Sequence, residues 1–199
     1  PILSFLKEKG ISIWADEVQT FTRTGELFAY ETLGIGEYID ICTIAKTVQL
    51  AVTLFTEEFN PQPGLIAGTF AASSSALSVG NEILKILTEG DYFGPSGKVL
   101  QIHNKFISML NELNNTSCKG LLEDAGGLGL MVAVTPLGGD KDKVNKLLKV
   151  IYKNGLMSFA CGKKPVRVRF LLPAILQNKD IEAAKKIIET SILEVNKEA

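Results

Sequence analysis

The sequence lacks the residue patterns that identify several common classes of protein. Its 199 residues include three cysteines, Cys42, Cys118 and Cys161, and one histidine. Cysteines this sparse match neither the ligand spacing of a metal site nor a disulfide framework, and they favour reduced thiols in a cytoplasmic protein. No run of about 18 apolar residues predicts a membrane span, and no basic segment followed by an apolar one opens the chain as a secretion signal would. We therefore expect no metal and no membrane partner.

A charge excess of either sign is also missing. The chain has 21 Lys and Arg against 22 Asp and Glu, a formal net charge of −1. This balance argues against a nucleic acid held by bulk electrostatics. Hydrophobic residues make up 46% of the chain, which is enough material for one core or for parts of two. The chain begins at Pro1 without a methionine and soon enters an apolar run, so we expect that an upstream segment has been removed.

Short apolar runs alternate with helical patterns, which predicts an α/β fold in two domains. The runs typical of buried strands are 11–15, 39–45 and 51–55 in the first part, and 128–134, 156–160 and 166–171 in the second. Helical spacing covers 74–87, begins again at Ser96 and at a cap on Asp140, and returns over 180–195. The turn residues at 91–95 mark the domain change. We expect part of an α/β layer over 1–93 and a small α+β domain over 94–199.

Two motifs place charged side chains at the ends of predicted strands. Residues 15–20 read ADEVQT, and Lys46 follows the apolar run 41–45. Open α/β sheets bind ligands at such strand ends. A carboxylate for a pyridinium nitrogen and a lysine for a Schiff base are the two groups that pyridoxal phosphate most needs from a protein. Each residue also has an ordinary alternative, because Asp16 could cap a helix and Lys46 could be a solvated strand-end lysine. The run before Lys46 predicts a partly desolvated amine.

The sequence WADEVQTFTRTGELFAYE at 14–31 resembles the signature of class III aminotransferases. These are fold-type I, pyridoxal-phosphate-dependent enzymes that act on acetylornithine, ornithine, 4-aminobutyrate and other ω-amino acids. The resemblance continues in the family's order through four more blocks, DICTIAK at 40–46, GTF at 68–70, GLGLM at 127–131 and VRFLLP at 168–173. It covers only the C-terminal half of the family's length. The implied fold class is α/β, the C-terminal part of a fold-type I transferase.

The resemblance implies a role for each residue of these blocks. Asp16 pairs with the pyridine nitrogen of the cofactor, Val18 packs on its ring, and Gln19 reaches its phenolic oxygen. Lys46 forms the Schiff base with the cofactor and carries the proton during amino transfer. Thr69 donates its hydroxyl to the cofactor phosphate. In the family this threonine comes from the neighbouring subunit, so the resemblance also implies a homodimer.

Arg169 is the residue that the resemblance assigns to the substrate carboxylate. Strand alternation over 166–170 puts Arg167 and Arg169 on one face and the apolar residues on the other. A planar guanidinium on a rigid strand suits bidentate capture of a carboxylate. From the residues alone, two charges on a solvated edge strand are the alternative. The resemblance leaves Arg167 without a role.

The implied reaction moves an amino group from an amino acid to a 2-oxo acid such as 2-oxoglutarate. The sequence departs from the family after Lys46, where residues 47–50 form a shorter connection without glycine, and at Gly126, where members usually have arginine. Two alternatives stay open. One is an inactive fragment or interaction remnant of the same fold, and the other is a pyridoxal-phosphate aminomutase, racemase or decarboxylase. Expressed alone, the chain is expected to be poorly soluble or inactive, because missing strands leave apolar surface open.

Overall fold

A computed structural model describes residues 1–66, 68–69, 71 and 73–197. The chain divides into two compact units, Pro1–Gly97 and Lys98–Ala199. The turn residues at 91–95 lie just before this division. Each unit contains one β-sheet, and the two sheets differ in strand direction and in how completely helices cover them.

The first unit is built around a three-stranded sheet in the order β1–β2–β3. The strands are β1 Trp14–Glu17, β2 Ile41–Ile44 and β3 Val52–Phe55. The helices are α1 Ile2–Glu8, α2 Ala29–Thr32 and α3 Ser74–Glu89. β2 is parallel to β1 and antiparallel to β3. The connection from β2 to β3 is too short for the crossover that a parallel pair needs, so β3 must run in the opposite direction.

One face of this sheet packs on a small core. Cys42 and Ile44 of β2 are buried with Phe21 and Val48. The opposite face stays open, with Trp14 64% exposed and Phe55 42% exposed. Because residues paired directly across strands share a face, the registers Asp16↔Thr43 and Ile41↔Phe55 place Asp16 and Thr43 on this side too. We call these four residues, Trp14, Asp16, Thr43 and Phe55, the open face.

The first strand begins later than the apolar run 11–15 predicts. The amide of Ile13 donates to Asp40 Oδ2 at 2.8 Å instead of joining the β1–β2 ladder. The carboxylate of Asp40 also pairs with Lys7 of α1. Asp40 therefore fixes the segment before β1 by side-chain contacts, and the ladder starts only at Trp14.

The second unit contains a four-stranded antiparallel sheet in the order β4–β5–β7–β6. The strands are β4 Leu122–Leu128, β5 Met131–Pro136, β6 Phe159–Cys161 and β7 Arg167–Leu171. The helices are α4 Lys98–Asn115, α5 Lys141–Lys153 and α6 Asn178–Lys197. Contacts join α4 to β4, α5 to β6 and β7, and both α4 and α5 to α6. Mixed and antiparallel sheets with helices give the α/β fold class that the sequence predicts.

The helical patterns of this unit are confirmed, although α4 begins at Lys98 and not at Ser96. The stripe predicted for α4 is buried at Val99, Ile102, Phe106, Leu110 and Leu113. The cap predicted before α5 is also present, since the side chain of Asp140 accepts hydrogen bonds from the amides of Asp142 and Lys143 in the first turn of that helix. Both predictions rest on local periodicity and capping, which need no information about distant residues. None of the helices in the described part of the chain is long and apolar enough to cross a membrane.

The prediction of a single strand over 128–134 is wrong. The structure has a hairpin of β4 and β5 at this place, with Gly126 and Gly127 inside β4. Gly127 has a φ of +151°, and a Cβ there would lie 2.0 Å from the carbonyl oxygen of Met131. Gly127 therefore lets β4 lie in close contact with its partner strand, just after a bulge between Glu123 and Gly126, whereas the apolar run alone predicts a strand that begins only at Leu128.

Candidate active site

Two adjacent carboxylates at the end of β1 point to opposite faces of the sheet. Glu17 is 3% exposed and accepts hydrogen bonds from the amides of Ala29 at 2.8 Å and Tyr30 at 2.9 Å. Asp16 is exposed on the open face, where Oδ1 accepts the amide of Val18 at 3.1 Å. No other hydrogen bond to Asp16 is present among the described residues. Glu17 therefore anchors the following segment, and Asp16 is available to a ligand.

The structural role of Glu17 is one that the sequence analysis missed. Strand alternation gave the available signal, because Asp16 and Glu17 cannot share a face. The charges of Glu17 and Asp16 also act on Cys42, which lies on the neighbouring strand β2. Burial and these two charges raise the pKa of Cys42 to about 11. The thiol is therefore protonated at neutral pH and is not a nucleophile of this site.

Lys46 lies just beyond β2, at the start of the 3₁₀ turn Lys46–Val48. Its side chain is exposed, so the predicted desolvation of the amine is wrong. The apolar residues before it, Cys42 and Ile44, face the core, while the turn carries Lys46 past the end of the sheet. Within the described ranges, no side chain forms a hydrogen bond or ion pair with the Lys46 amine.

The turn after β2 has a strained backbone. Lys46 has a φ of +56° and Gln49 a φ of +60°, both in the left-handed region that L-residues other than glycine rarely adopt. The amide of Gln49 donates to the carbonyl of Lys46 at 3.0 Å and closes the turn. Such conformations cost about 1–3 kcal/mol each and concentrate at active sites. The short connection without glycine thus turns the chain through two strained residues, one of which is the candidate lysine.

Helix α3 supports this turn through a glycine. Gly80 is buried, and a Cβ there would lie 2.9 Å from the carbonyl oxygen of Val48 and 2.1 Å from a methyl group of Leu50. Only a residue without a side chain lets α3 come this close to the turn that carries Lys46. The backbone of the turn is therefore held from the core side by α3.

Parallel pairing of β1 and β2 brings Asp16 and Lys46 to the same side of the sheet, where the carboxyl ends of these strands lie. β1 and β2 run side by side with Asp16 opposite Thr43, and Lys46 follows shortly after the end of β2. The indole of Trp14 donates to the Thr43 hydroxyl at 3.2 Å, which ties the two strands together on the open face. Val18 and Gln19 follow β1 and are half-buried. The carboxyl ends of neighbouring parallel strands are the usual ligand site of an open sheet.

Thr69 also belongs to the first unit but is not joined to these residues by a hydrogen bond in the part of the chain that the structure describes. It is exposed and lies in a turn between residues 67 and 70, which are outside the described residues. The predicted GTF block at 68–70 can therefore be followed only as far as Thr69.

Arg169 lies in the second unit, in the central part of β7, and is half-buried. It pairs with Ala133 of β5 on one side and Phe159 of β6 on the other. Its guanidinium carbon lies 5.5 Å from the centre of the Phe159 ring. Arg167 shares its face but donates to the backbone carbonyls of Asp124 and, at 3.2 Å, Ala133. Arg167 thus has a structural role that the sequence analysis left open.

The residues at the edge of the first sheet fit pyridoxal phosphate by their chemistry. Asp16 offers a carboxylate oxygen without a partner in the described chain, as a protonated pyridine nitrogen requires. Lys46 offers an unpaired primary amine at a strained turn. The same residues form no metal centre, since the described residues contain no group of three or more His, Cys, Asp or Glu that could hold an ion.

Solved structures define the fold class. The lysine aminotransferase of Mycobacterium tuberculosis matches 98% of this chain and 44% of its own, with a TM-score of 0.81 and 20% identity. At that identity the likeness shows the fold alone. It is the fold of the pyridoxal-phosphate-dependent aminotransferases.

The sequence defines the family. The class III aminotransferase model matches residues 2–192, and the chain belongs to this family, whose members depend on pyridoxal phosphate. The acetylornithine aminotransferase of Lactococcus lactis is 29% identical over 196 residues, 94% of this chain and 48% of that protein. The 5-aminovalerate aminotransferase of Pseudomonas aeruginosa is 30% identical over 194 residues, 91% of this chain and 44% of that protein. The chain spans about half the length of these relatives.

Proposed function

We propose that this chain supplies the lysine, the ring-binding carboxylate and the substrate arginine of a pyridoxal-phosphate-dependent aminotransferase. The observation that carries the proposal is the pairing of β1 with β2, which puts Asp16 and the strained Lys46 at one edge of a sheet. Family membership over 2–192 supports it. We assign residues 1–93 to the cofactor-binding domain and 94–199 to a small C-terminal domain.

Asp16, Val18 and Gln19 hold the cofactor from the end of β1. The free oxygen of Asp16 accepts a charge-assisted hydrogen bond from the pyridine nitrogen and keeps it protonated. Val18 packs on one side of the ring, and Gln19 donates to the phenolic oxygen. When bound, the cofactor supplies an electron sink for the carbon that loses a proton. Thr69 donates its hydroxyl to a phosphate oxygen of the cofactor.

Lys46 would hold the cofactor through its primary amine. The amine of Lys46 would also serve as the acid–base group that takes a proton from one carbon and returns it at another position. Arg169 binds the carboxylate of the substrate through two parallel N–H donors. The donor is an amino acid with an ω-amine, such as acetylornithine, ornithine or 4-aminobutyrate, and the acceptor is a 2-oxo acid such as 2-oxoglutarate. The acetylornithine and 5-aminovalerate aminotransferases among the relatives support this class of donor.

The site is completed by further polypeptide. The relatives hold about as much chain again as this one, and the open face gives such a segment an apolar surface to cover. We also propose a homodimer in which Thr69 serves the neighbouring subunit, since its exposed side chain is free to reach another molecule. The three free cysteines suit the reducing cytoplasm.

The test is covalent capture of the cofactor. The full chain is mixed with pyridoxal phosphate, the visible absorbance is recorded, borohydride is added, and labelled peptides are mapped. We expect an absorbance band and a label concentrated on Lys46, and Asp16→Asn should reduce both.

A matched control is Lys7→Arg, which removes another lysine of the first unit and should leave the Lys46 label unchanged. A label spread evenly over surface lysines would contradict the proposed site and would favour a non-catalytic remnant of the fold. Amino transfer to added 2-oxoglutarate distinguishes a transaminase from an aminomutase, racemase or decarboxylase.

A further inference from the structure

Two arginines on the same face of β7 differ in their hydrogen-bond partners. Arg167 donates from its Nη2 to two backbone carbonyls, those of Asp124 and Ala133, and its Nε is buried without a hydrogen-bond partner among the described residues. Arg169 forms no hydrogen bond or ion pair with any residue that the structure describes. Its N–H groups are therefore open to a ligand, whereas the Nη2 of Arg167 is bonded to the sheet and the Nε of Arg167 is buried.

The guanidinium of Arg169 is held by an aromatic ring. Phe159 lies directly opposite Arg169 in the β6–β7 ladder, a pairing that brings the two Cβ atoms within about 5.5 Å. The guanidinium carbon lies 5.5 Å from the ring centre, inside the range of a cation–π contact. Phe159 is 45% exposed and so lies at the surface of β6 rather than in the core.

A ring holds a guanidinium differently from a carboxylate. A carboxylate partner would occupy two N–H donors and cancel the charge, and a substrate would have to displace it. A ring face attracts the cation through its quadrupole and uses no N–H donor. It also restricts a side chain that has large rotamer entropy, and that restriction lowers the entropy lost when a carboxylate binds.

We propose that Phe159 is a positioning residue for Arg169. The ring fixes the guanidinium with all its donors free, and so prepares Arg169 to bind the carboxylate of the substrate. This inference rests on the proposed function, in which Arg169 is the carboxylate-binding residue. Phe159 itself makes no bond to the substrate.

The experiment measures how well a dicarboxylate protects Arg169 from phenylglyoxal, a reagent that modifies arginine. The probe is glutarate, which has the carboxylates of a 2-oxo acid substrate but no carbonyl that could react with lysine. The full chain is modified at increasing glutarate concentrations, and the rates at Arg169 and Arg167 are read separately by peptide mass spectrometry. Arg167 is the internal control. Because its Nη2 is hydrogen-bonded and its Nε is buried, we expect slow modification that glutarate does not change.

Two variants change the ring of Phe159, and a third at Tyr152 is a control. Phe159→Leu keeps the apolar bulk and removes the π face, and it should raise the glutarate concentration for half-protection of Arg169 by about two- to fivefold. Phe159→Tyr keeps the ring and should match the wild type. Tyr152→Leu removes a different exposed aromatic residue of this unit, 69% exposed on α5, and should also match the wild type. Phe159→Ile replaces Phe159→Leu if that variant does not keep the wild-type circular dichroism.

The outcomes separate the inference from the proposed function. Equal half-protection in the wild type and in the folded variant without a ring, Phe159→Leu or its replacement Phe159→Ile, would overturn the role of Phe159 while leaving Arg169 as the carboxylate-binding residue. Absence of any protection of Arg169 in the wild type would overturn its role in carboxylate binding and this inference with it. A weaker protection confined to the variants without a ring supports the positioning role.

Discussion

The two units of this chain contrast in how completely their sheets are covered. In the second unit, the antiparallel sheet packs with α4 and α5, both helices pack with α6, and residues such as Val99, Leu110 and Val144 are fully buried. In the first unit, one face of the sheet buries a small core and the open face exposes Trp14 and Phe55. Neither outer edge, that of β1 or that of β3, pairs with another strand among the described residues.

The proposed chemistry is concentrated in the less complete unit. Asp16 lies on the open face, and Lys46 lies at the end of the central strand. Arg169, in the second unit, lies on a strand with partners on both sides. Exposed sheet edges and apolar faces favour association with another polypeptide. The contrast therefore suggests that the second unit folds by its own contacts, while the first depends on a covering segment.

Separating the units gives the largest expected effect. Residues 98–199 expressed alone should unfold cooperatively on heating, because their helices and sheet share one core. Residues 1–97 alone should show no cooperative transition, because their core is small and half of the sheet surface is open. Differential scanning calorimetry measures both. A sharp transition in 1–97 would show that the first unit folds without a covering segment and would contradict the contrast between the two units.

Truncation of one apolar residue in each unit is expected to give unequal losses. Leu110→Ala removes a fully buried side chain of α4 and should lower the free energy of unfolding by about 2–5 kcal/mol. Trp14→Ala removes a larger side chain that is 64% exposed, and it should change stability by less than about 0.5 kcal/mol. Urea denaturation of the full chain checks both values. A large loss in Trp14→Ala would mean that the open face is covered in solution.

The adjacent carboxylates of β1 offer a sharper test within the first unit. Glu17→Ala leaves the buried amides of Ala29 and Tyr30 without their acceptor and should cost about 1–3 kcal/mol. Hydrogen exchange of these two amides in the full chain should become faster. Asp16→Ala should leave that exchange unchanged and remove the borohydride label from Lys46. Equal effects of the two variants on exchange would contradict their opposite orientations.

Gly80→Ala tests the support of the lysine turn. The added methyl group would overlap the carbonyl of Val48, so α3 or the turn must move. We expect slower labelling of Lys46 by pyridoxal phosphate and borohydride, because the backbone around the amine shifts. Gly10→Ala is a control outside this contact, since a Cβ at Gly10 meets no atom within 4 Å. Unchanged labelling in Gly80→Ala would show that the turn keeps its position without α3.

The smallest expected effect is on the attachment of α1. The hydrogen bond from Lys7 and the amide of Ile13 lower the pKa of Asp40. A carboxyl whose pKa is lowered by folding stabilises the native state above its ordinary pKa of about 3.9, and this contribution is lost as the pH falls through the native pKa. Proteolysis within residues 1–10 should therefore accelerate in acid. The Asp40→Asn variant should be cleaved within residues 1–10 faster than the wild type at neutral pH. Its cleavage should accelerate little further in acid.

Local patterns in the sequence predicted the parts of the fold that depend on near neighbours. The buried stripe of α4 and the Asp140 cap follow from spacing within one helix. The hairpin at Gly126 and Gly127 was missed, because glycine in a strand depends on how closely the partner strand approaches. The sequence could not reveal that close approach.

The candidate site likewise has features that the sequence predicts and features that depend on tertiary packing. Asp16 and Lys46 could be picked out from strand ends, and pairing of β1 with β2 brings those ends together. The exposure of Lys46 could not be read from the apolar run before it, because the direction of the chain after Ile44 depends on the packing of the turn against α3. The contact of Arg169 with Phe159 depends on the register of β6, which is set by the whole sheet.

The left-handed backbone at Lys46 has a consequence for which residue suits this position. Glycine adopts that conformation without strain, so replacing Lys46 by glycine would relieve the local backbone. Most other residues would keep the strain, so glycine is the substitution that the local backbone favours. Lys46 therefore costs backbone energy that glycine would not, so local backbone stability does not explain why a lysine occupies this position.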